Sequence, residues 1–169
     1  MTWPLSCVRR HEPLADHTSF RIGGPAEWFA EPSTLEELIE VLRRASTLGL
    51  PVSVVGGGTN TLAADRGVRG VTVHLGRAFR TVRESMEPDA PTARVTCGAS
   101  LLTQRLVFLA TKYGWGDLEL LAGLPGQLGG ALAMNAQNFG RFVQYPAFGV
   151  VFSRYVLRSG WASRSGIGR

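Results

Sequence analysis

The 169-residue chain carries a net charge of +5, is 44% hydrophobic and 18% charged, and has Cys7 and Cys97 as its cysteines. That size fits one domain or two small lobes sharing a cleft, and two isolated cysteines exclude a disulfide framework or a CxxC-type metal site. Residues 1–140 hold 13 acidic side chains and as many basic ones, so the charge excess sits in Arg141, Arg154, Arg158, Arg164 and Arg169; without a clustered basic surface no nucleic-acid partner is expected.

The first residues, Met1 to Ser6, lack the apolar core of a signal peptide, and no run approaches the ~18 apolar residues of a membrane span. A cytoplasmic protein with reduced thiols and no membrane partner is expected. Residues 26–30 (Ala26-Glu27-Trp28-Phe29-Ala30) read as a short strand closed by Pro32. The stretch Ser33-Thr34-Leu35-Glu36-Glu37 is a capping-box signature. Leu35, Leu38, Ile39, Leu42 and Ala45 recur at helical spacing behind it, and Gly49 and Pro51 end that helix. Residues 52–55 predict a buried strand and residues 71–75 another.

Residues 83–92, with Pro88-Asp89-Ala90-Pro91, predict a hairpin loop or a lobe boundary. Residues 93–97 form the next predicted strand, ended by Gly98. A helix is expected to start at Ala99 or Ser100, to face inward through Leu102, Leu106, Leu109 and Ala110, and to end at Gly114. The alternation defines a mixed α/β chain. His11, His17 and His74 are scattered, in surface or capping roles, and no metal site or Ser-His-Asp order is expected. After Gly140 there are no acids but many Arg, Ser and Gly residues. That composition suits an aberrant, out-of-frame end or a poorly ordered basic tail. The expected division is an N-terminal extension (1–16), a first lobe (17–76), a second lobe (77–140) and a divergent tail (141–169).

Two glycine-rich segments carry the chemistry. In the first, a strand ending at Val55 runs into Gly56-Gly57-Gly58-Thr59-Asn60. Glycines allow a sharp turn and let a ligand approach the main chain, and successive exposed amides make an anion-binding concavity. Thr59 can donate a hydroxyl, and Asn60 can bond the loop or the ligand. The alternative is a glycine-rich turn with no ligand. No Lys-Ser/Thr follows the glycines, so this is not a P-loop, and the third glycine of a Rossmann fingerprint is absent. In the second segment, Gly123, Leu124, Pro125, Gly126, Gly129, Gly130 and Asn135 allow a flat ring or a pyrophosphate to lie against backbone. The alternative there is close packing of a helix on a sheet. Together the two segments suggest one dinucleotide held from both sides.

Four motifs resemble the UDP-N-acetylenolpyruvoylglucosamine reductase (UDP-N-acetylmuramate dehydrogenase) family. Residues 17–26, His17-Thr18-Ser19-Phe20-Arg21-Ile22-Gly23-Gly24-Pro25-Ala26, are similar to its opening motif, and residues 55–62 to its flavin pyrophosphate loop. Gly67-Val68-Arg69-Gly70-Val71 matches the next turn, and residues 116–136 resemble its Gly-Leu-Glu to Met-Asn-Ala run. Gln137-Asn138-Phe139-Gly140 departs from the family pattern, and the resemblance stops there.

The resemblance implies an α/β (α+β) two-lobed FAD-binding fold of the vanillyl-alcohol-oxidase (PCMH) type, with FAD held non-covalently by residues 55–60, 123–126, 129, 130 and 135. It implies a flavin oxidoreductase of peptidoglycan precursor synthesis. NADPH reduces the flavin, whose N5 gives hydride to the enolpyruvyl carbon of UDP-N-acetylenolpyruvoylglucosamine while a serine protonates the neighbouring carbon. The family's active-site arginine and its substrate lobe, with that serine and a glutamate, have no match here, so no catalytic residue is assigned. A monomeric, truncated FAD-binding fragment without turnover is expected. A compressed but complete reductase, another flavin oxidase of the same fold and a non-catalytic nucleotide-binding module are the alternatives.

Overall fold

The computed structural model describes residues 3–85, 92–115, 118, 121–138, 141–142 and 154–158. The chain divides into two compact units, Met1–Arg80 and Thr81–Arg169.

The first unit contains β1 (Val8–Pro13), β2 (Pro25–Ala30), α1 (Leu35–Thr47), β3 (Val52–Val55) and β4 (Val68–His74), with short 3-10 turns at Leu14–His17 and Arg77–Phe79. Its sheet runs β1-β2-β4-β3: β1 is antiparallel to β2, while β2, β4 and β3 are parallel. The expected N-terminal extension is therefore part of the sheet, because Arg9 and Arg10 pair in register with Phe29 and Trp28.

Thr34 caps α1. Its hydroxyl accepts the Glu37 amide at 3.2 Å, and the Glu37 carboxylate accepts the Ser33 amide at 2.6 Å. This is the expected capping box with its return bond moved one residue outward. The helix closes as a Schellman motif: the Gly49 and Leu50 amides donate to Ser46 and Ala45 at 3.0 and 2.9 Å. Leu38, Val41 and Ala45 bury against Trp28, Ala30, Val71 and Val73. Leu35, Ile39 and Leu42 are exposed, so the helix is rotated from the face its apolar spacing suggested. The other side of the sheet gathers Leu14, Ala26, Phe29 and Val55. Residues 52–55 do form the expected strand, but β3 lies at the sheet edge and Val54 is 73% exposed rather than buried.

The second unit contains β5 (Val82–Ser85), β6 (Thr92–Cys97), α2 (Thr103–Tyr113), α3 (Leu128–Ala133), β7 (Gln137–Asn138), β8 (Arg141–Phe142) and β9 (Arg154–Arg158). β5 and β6 pair antiparallel, as a hairpin requires; the loop between them lies outside the described residues. α2 begins at Thr103, later than expected, because the preceding residues bond elsewhere: the Leu101 carbonyl accepts the Leu128 amide, and Leu102 bridges Gln127. Leu102 is consequently exposed and Thr103 takes the buried position. Gly114 (φ 71) ends the helix as its position predicted. The core joins Val95 and Cys97 of β6, Leu106 and Ala110 of α2, and Leu128 and Leu132 of α3 with Trp115, Leu118 and Leu121.

Within the expected tail, Arg154–Arg158 forms β9, antiparallel to β6. Its sequence Tyr155-Val156-Leu157 is strand-favouring, which a reading by net composition overlooks. Residues 143–153 and 159–169, the rest of that expected tail apart from β8, lie outside the described residues.

Candidate functional site

The carboxyl ends of the three parallel strands share one sheet edge. Val55 of β3 is in register with His74 of β4, and Ala30 of β2 with Val73. Ligands of open α/β sheets bind beyond such strand ends, and residues 56–60 leave the sheet there. Among the described residues the amides of Gly57, Gly58, Thr59 and Asn60 donate to no backbone carbonyl. Gly57 and Asn60 are exposed and Thr59 is half-buried. A run of unspent amides followed by a hydroxyl is a donor set suited to phosphate oxygens and to no cation.

The loop is seated on the segment that opens the first motif. Gly58 adopts φ 64, and a Cβ there would overlap the His17 carbonyl and lie 2.8 Å from the Thr18 Cα. The Ser19 amide donates to the Gly58 carbonyl at 3.0 Å. Further along, the Gly24 amide donates to Ala64 at 3.0 Å, and a Cβ on Gly24 would collide with the Asp65 carbonyl. The glycines of the two motifs are thus close-approach positions that lock one segment onto the other.

A charged cluster adjoins this seat, and no local pattern in the sequence signals it. Glu12 accepts from Arg9 through both carboxylate oxygens at 3.1 Å, and its Oε1 lies 3.0 Å from His17 Nε2. The His17 ring stacks on buried Phe29 with centroids 4.2 Å apart and lies 5.8 Å from His74. His74 in turn has Nδ1 3.5 Å from Glu31 Oε1. His17 and His74 are therefore neighbours rather than scattered, while His11 is exposed. Hydrogen bonding from His17, then Arg9, holds the Glu12 carboxyl below its ordinary range. Burial pulls the His74 imidazole down, with Glu31 opposing. Among the described residues no group of three or more His, Cys, Asp or Glu could hold a metal ion.

In the second unit, residues 121–126 form a tight turn held by the first residues of α2. Thr103 Oγ1 donates to the Leu124 carbonyl and, at 3.3 Å, to that of Gly126. Gln104 Nε2 donates to Leu121 and Leu124 at 3.3 and 2.9 Å. Thr103 and Gln104 shape the turn, and sequence reasoning missed both because their partners are backbone carbonyls. The glycines divide by role. Gly129 packs on Ala99, donating its amide to that carbonyl at 2.8 Å, and has no room for a Cβ. Gly123 (φ 82) and Gly130 are exposed with nothing within 4 Å of a Cβ. Pro125 is exposed and Leu124 half-buried. Asn135 (φ 43) is exposed just past α3, its amide donating to Leu132 at 2.9 Å.

The class is that of the flavoproteins: the chain belongs to the FAD binding domain family, whose model matches residues 26–161. It is 42% identical over 131 residues to the UDP-N-acetylenolpyruvoylglucosamine reductase of Heliobacterium modesticaldum, covering 78% of this chain and 40% of that protein. To the reductase of the same name from Methylococcus capsulatus it is 43% identical over 130 residues, 77% of this chain and 41% of the relative. The chain thus spans less than half the length of these relatives. Among solved structures, the reductase from Thermus caldophilus superposes with a TM-score of 0.57 at 31% identity, covering 88% of this chain and 51% of that one. A solvent-stable cholesterol oxidase shares the fold, with a TM-score of 0.61 at 23% identity over 81% of this chain and 27% of that one. Among the described residues no helix is long and apolar enough to cross a membrane.

Proposed function

We propose that this chain binds FAD non-covalently, with residues 55–60 around the pyrophosphate. Within the second unit, residues 123–126, 130 and 135 are the proposed cofactor-contact positions, and Gly129 serves packing on Ala99. One observation carries the reading: the unspent amides of residues 57–60 at a parallel strand end, in a chain of the FAD binding domain family. The pyrophosphate oxygens accept from those amides and from the Thr59 hydroxyl. Asn60 and Asn135 donate through their side-chain amides. Gly123 and Gly130, bare of side chains, let a planar ring lie against the main chain.

When bound, FAD supplies the hydride chemistry, and the protein supplies binding and orientation. The reaction is the NADPH-dependent reduction of UDP-N-acetylenolpyruvoylglucosamine in cytoplasmic peptidoglycan precursor synthesis, and the chain acts as a monomer. The similarity to reductases of that name supports this reading. No residue of this chain is assigned to protonating substrate. A second reading is flavin binding without turnover: positioning of substrate supplies roughly 7–11 kcal/mol of such barriers, and none of the residues proposed here is assigned to holding substrate.

The test is titration of the purified chain with FAD, following flavin fluorescence and absorbance, with circular dichroism to establish folding. Saturable quenching is expected. A folded chain that leaves both signals unchanged overturns the flavin reading. Substrate-dependent NADPH oxidation at an ordinary enzymatic rate by the FAD-loaded chain overturns the second reading alone.

A further inference from the structure

Between Thr18 and Gly23 the chain makes a small bulge whose two feet stand on the glycine-loop region. At one foot the Ser19 amide donates to Gly58 at 3.0 Å; at the other, Gly23 packs on Ala63 and the Gly24 amide bonds Ala64 at 3.0 Å. Arg21 lies at the apex with φ 54. A non-glycine residue in the left-handed region is uncommon, more so one without the short polar side chain of Asn or Asp. The conformation is fixed from below: the Arg21 amide donates to Thr18 at 3.1 Å, and the hydroxyl of buried Thr18 donates to the Ile22 carbonyl at 3.3 Å. Residues forced into such regions cluster at ligand clamps.

The side chain has no visible structural duty. Arg21 is exposed, and among the described residues neither a carboxylate nor an aromatic ring engages it. Arg9, Arg10 and Arg43 of the first unit are engaged, by Glu12, Trp28 and Glu40 respectively. Arg21, like Arg66, Arg69 and Arg77, has no side-chain partner among the described residues. Of these four, Arg21 is the one on the segment bonded to Gly58 and in the left-handed region. The glycine loop itself carries no cation; its amides offer only partial charges. A dinucleotide's pyrophosphate carries two negative charges at neutral pH, and a guanidinium is the side chain best matched to its oxygens.

We infer that Arg21 is a phosphate-binding residue of the glycine-loop site, supplying to a dinucleotide's pyrophosphate the full positive charge that the loop lacks. This rests on the flavin reading above. The bulge holds the Arg21 backbone on the segment that is bonded to the loop through Ser19 and Gly58.

Wild type, Arg21→Ala, Arg21→Lys and Arg21→Gly are each titrated with FAD at low and high salt by fluorescence quenching, and their thermal midpoints are recorded. Arg21→Ala should weaken FAD binding about 10- to 100-fold and flatten its salt dependence, with Arg21→Lys recovering part of the loss. Arg21→Gly should lose affinity equally while its thermal midpoint stays level or rises, since glycine adopts this φ without strain. Arg21→Ala binding with wild-type affinity and salt slope overturns the inference and leaves the flavin reading standing. So does an Arg21→Gly whose thermal midpoint falls together with its affinity, because the residue then acts only through the fold. A folded wild-type chain that binds no FAD overturns both.

Discussion

The backbone carbonyl of His17 occupies the space where a side chain on Gly58 would begin. This contact, closed by the Ser19 to Gly58 hydrogen bond at 3.0 Å, makes the opening motif the foundation of the glycine loop. Gly58→Ala should therefore destabilise the protein by about 2–5 kcal/mol, from left-handed strain plus overlap with main chain that cannot move aside. Urea unfolding monitored by circular dichroism measures this. A loss under about 0.5 kcal/mol would mean the two segments are not locked together.

Gly130→Ala separates packing from ligand contact. The position is helical, exposed, and has nothing within 4 Å of a Cβ. Alanine should raise stability by up to about 1 kcal/mol through helix propensity. If Gly130 faces the cofactor, FAD affinity falls in the same variant. Raised stability with unchanged affinity removes Gly130 from the proposed site.

Thr103→Val keeps the shape of a buried side chain and deletes its hydroxyl, leaving the Leu124 and Gly126 carbonyls without that donor. The expected cost is about 1–3 kcal/mol. Hydrogen exchange should report faster opening of residues 121–126, and unchanged exchange there would assign the turn's stability to Gln104 alone.

The free thiols should be inert at neutral pH. Burial pushes Cys97 up to about 11, and burial with the nearby Glu37 carboxylate also raises Cys7. The nucleophile is the thiolate, so Ellman's reagent should label Cys97 only on unfolding. Rapid labelling of the native protein at Cys97 would contradict its burial.

Acidification should destabilise the first unit in two pH windows. His74 is held below its ordinary value of 6.5 by burial, aided by neighbouring His17 and Arg80 and opposed by Glu31. The unfolded chain then takes the proton first, so stability is complete above that value and is lost as pH falls from it toward the lower folded value. Glu12 is held below its ordinary value of 4.5, so its stabilisation is present above that and is lost below it. Urea midpoints measured across pH should show both losses. His74→Gln should abolish the upper one and Glu12→Gln the lower, and a flat profile in wild type would refute the assignment.

Much of the fold was legible because its signals are local. The capping of α1 by Thr34 and its closure at Gly49 follow from side chains and glycine within a few residues of each other, and so does the turn into residues 56–60. The motifs at residues 17–26 and 55–62 also pointed to a flavin-binding family, and Gly24 and Gly58 in them sit where main chain meets main chain. Non-local relationships were not legible. The edge position of β3 exposes Val54, which period and composition both placed inside. Val41 rather than Ile39 faces the core, because helix rotation is set by the sheet it meets.

The sequence by itself determined that the chain is mixed α/β, that a strand runs into a glycine loop at residues 56–60, and that its motifs belong with flavin-binding proteins. Tertiary structure alone decided that His17 and His74 share a charged cluster with Glu12 and Glu31. It also decided that Gly24 and Gly58 serve backbone-to-backbone contacts, and that Thr103 and Gln104 hold the second turn. The physical reason is the same in each case. Caps and glycine turns act through neighbours in the chain, whereas most of these contacts join residues twenty or more positions apart and exist only once packing has set their distance.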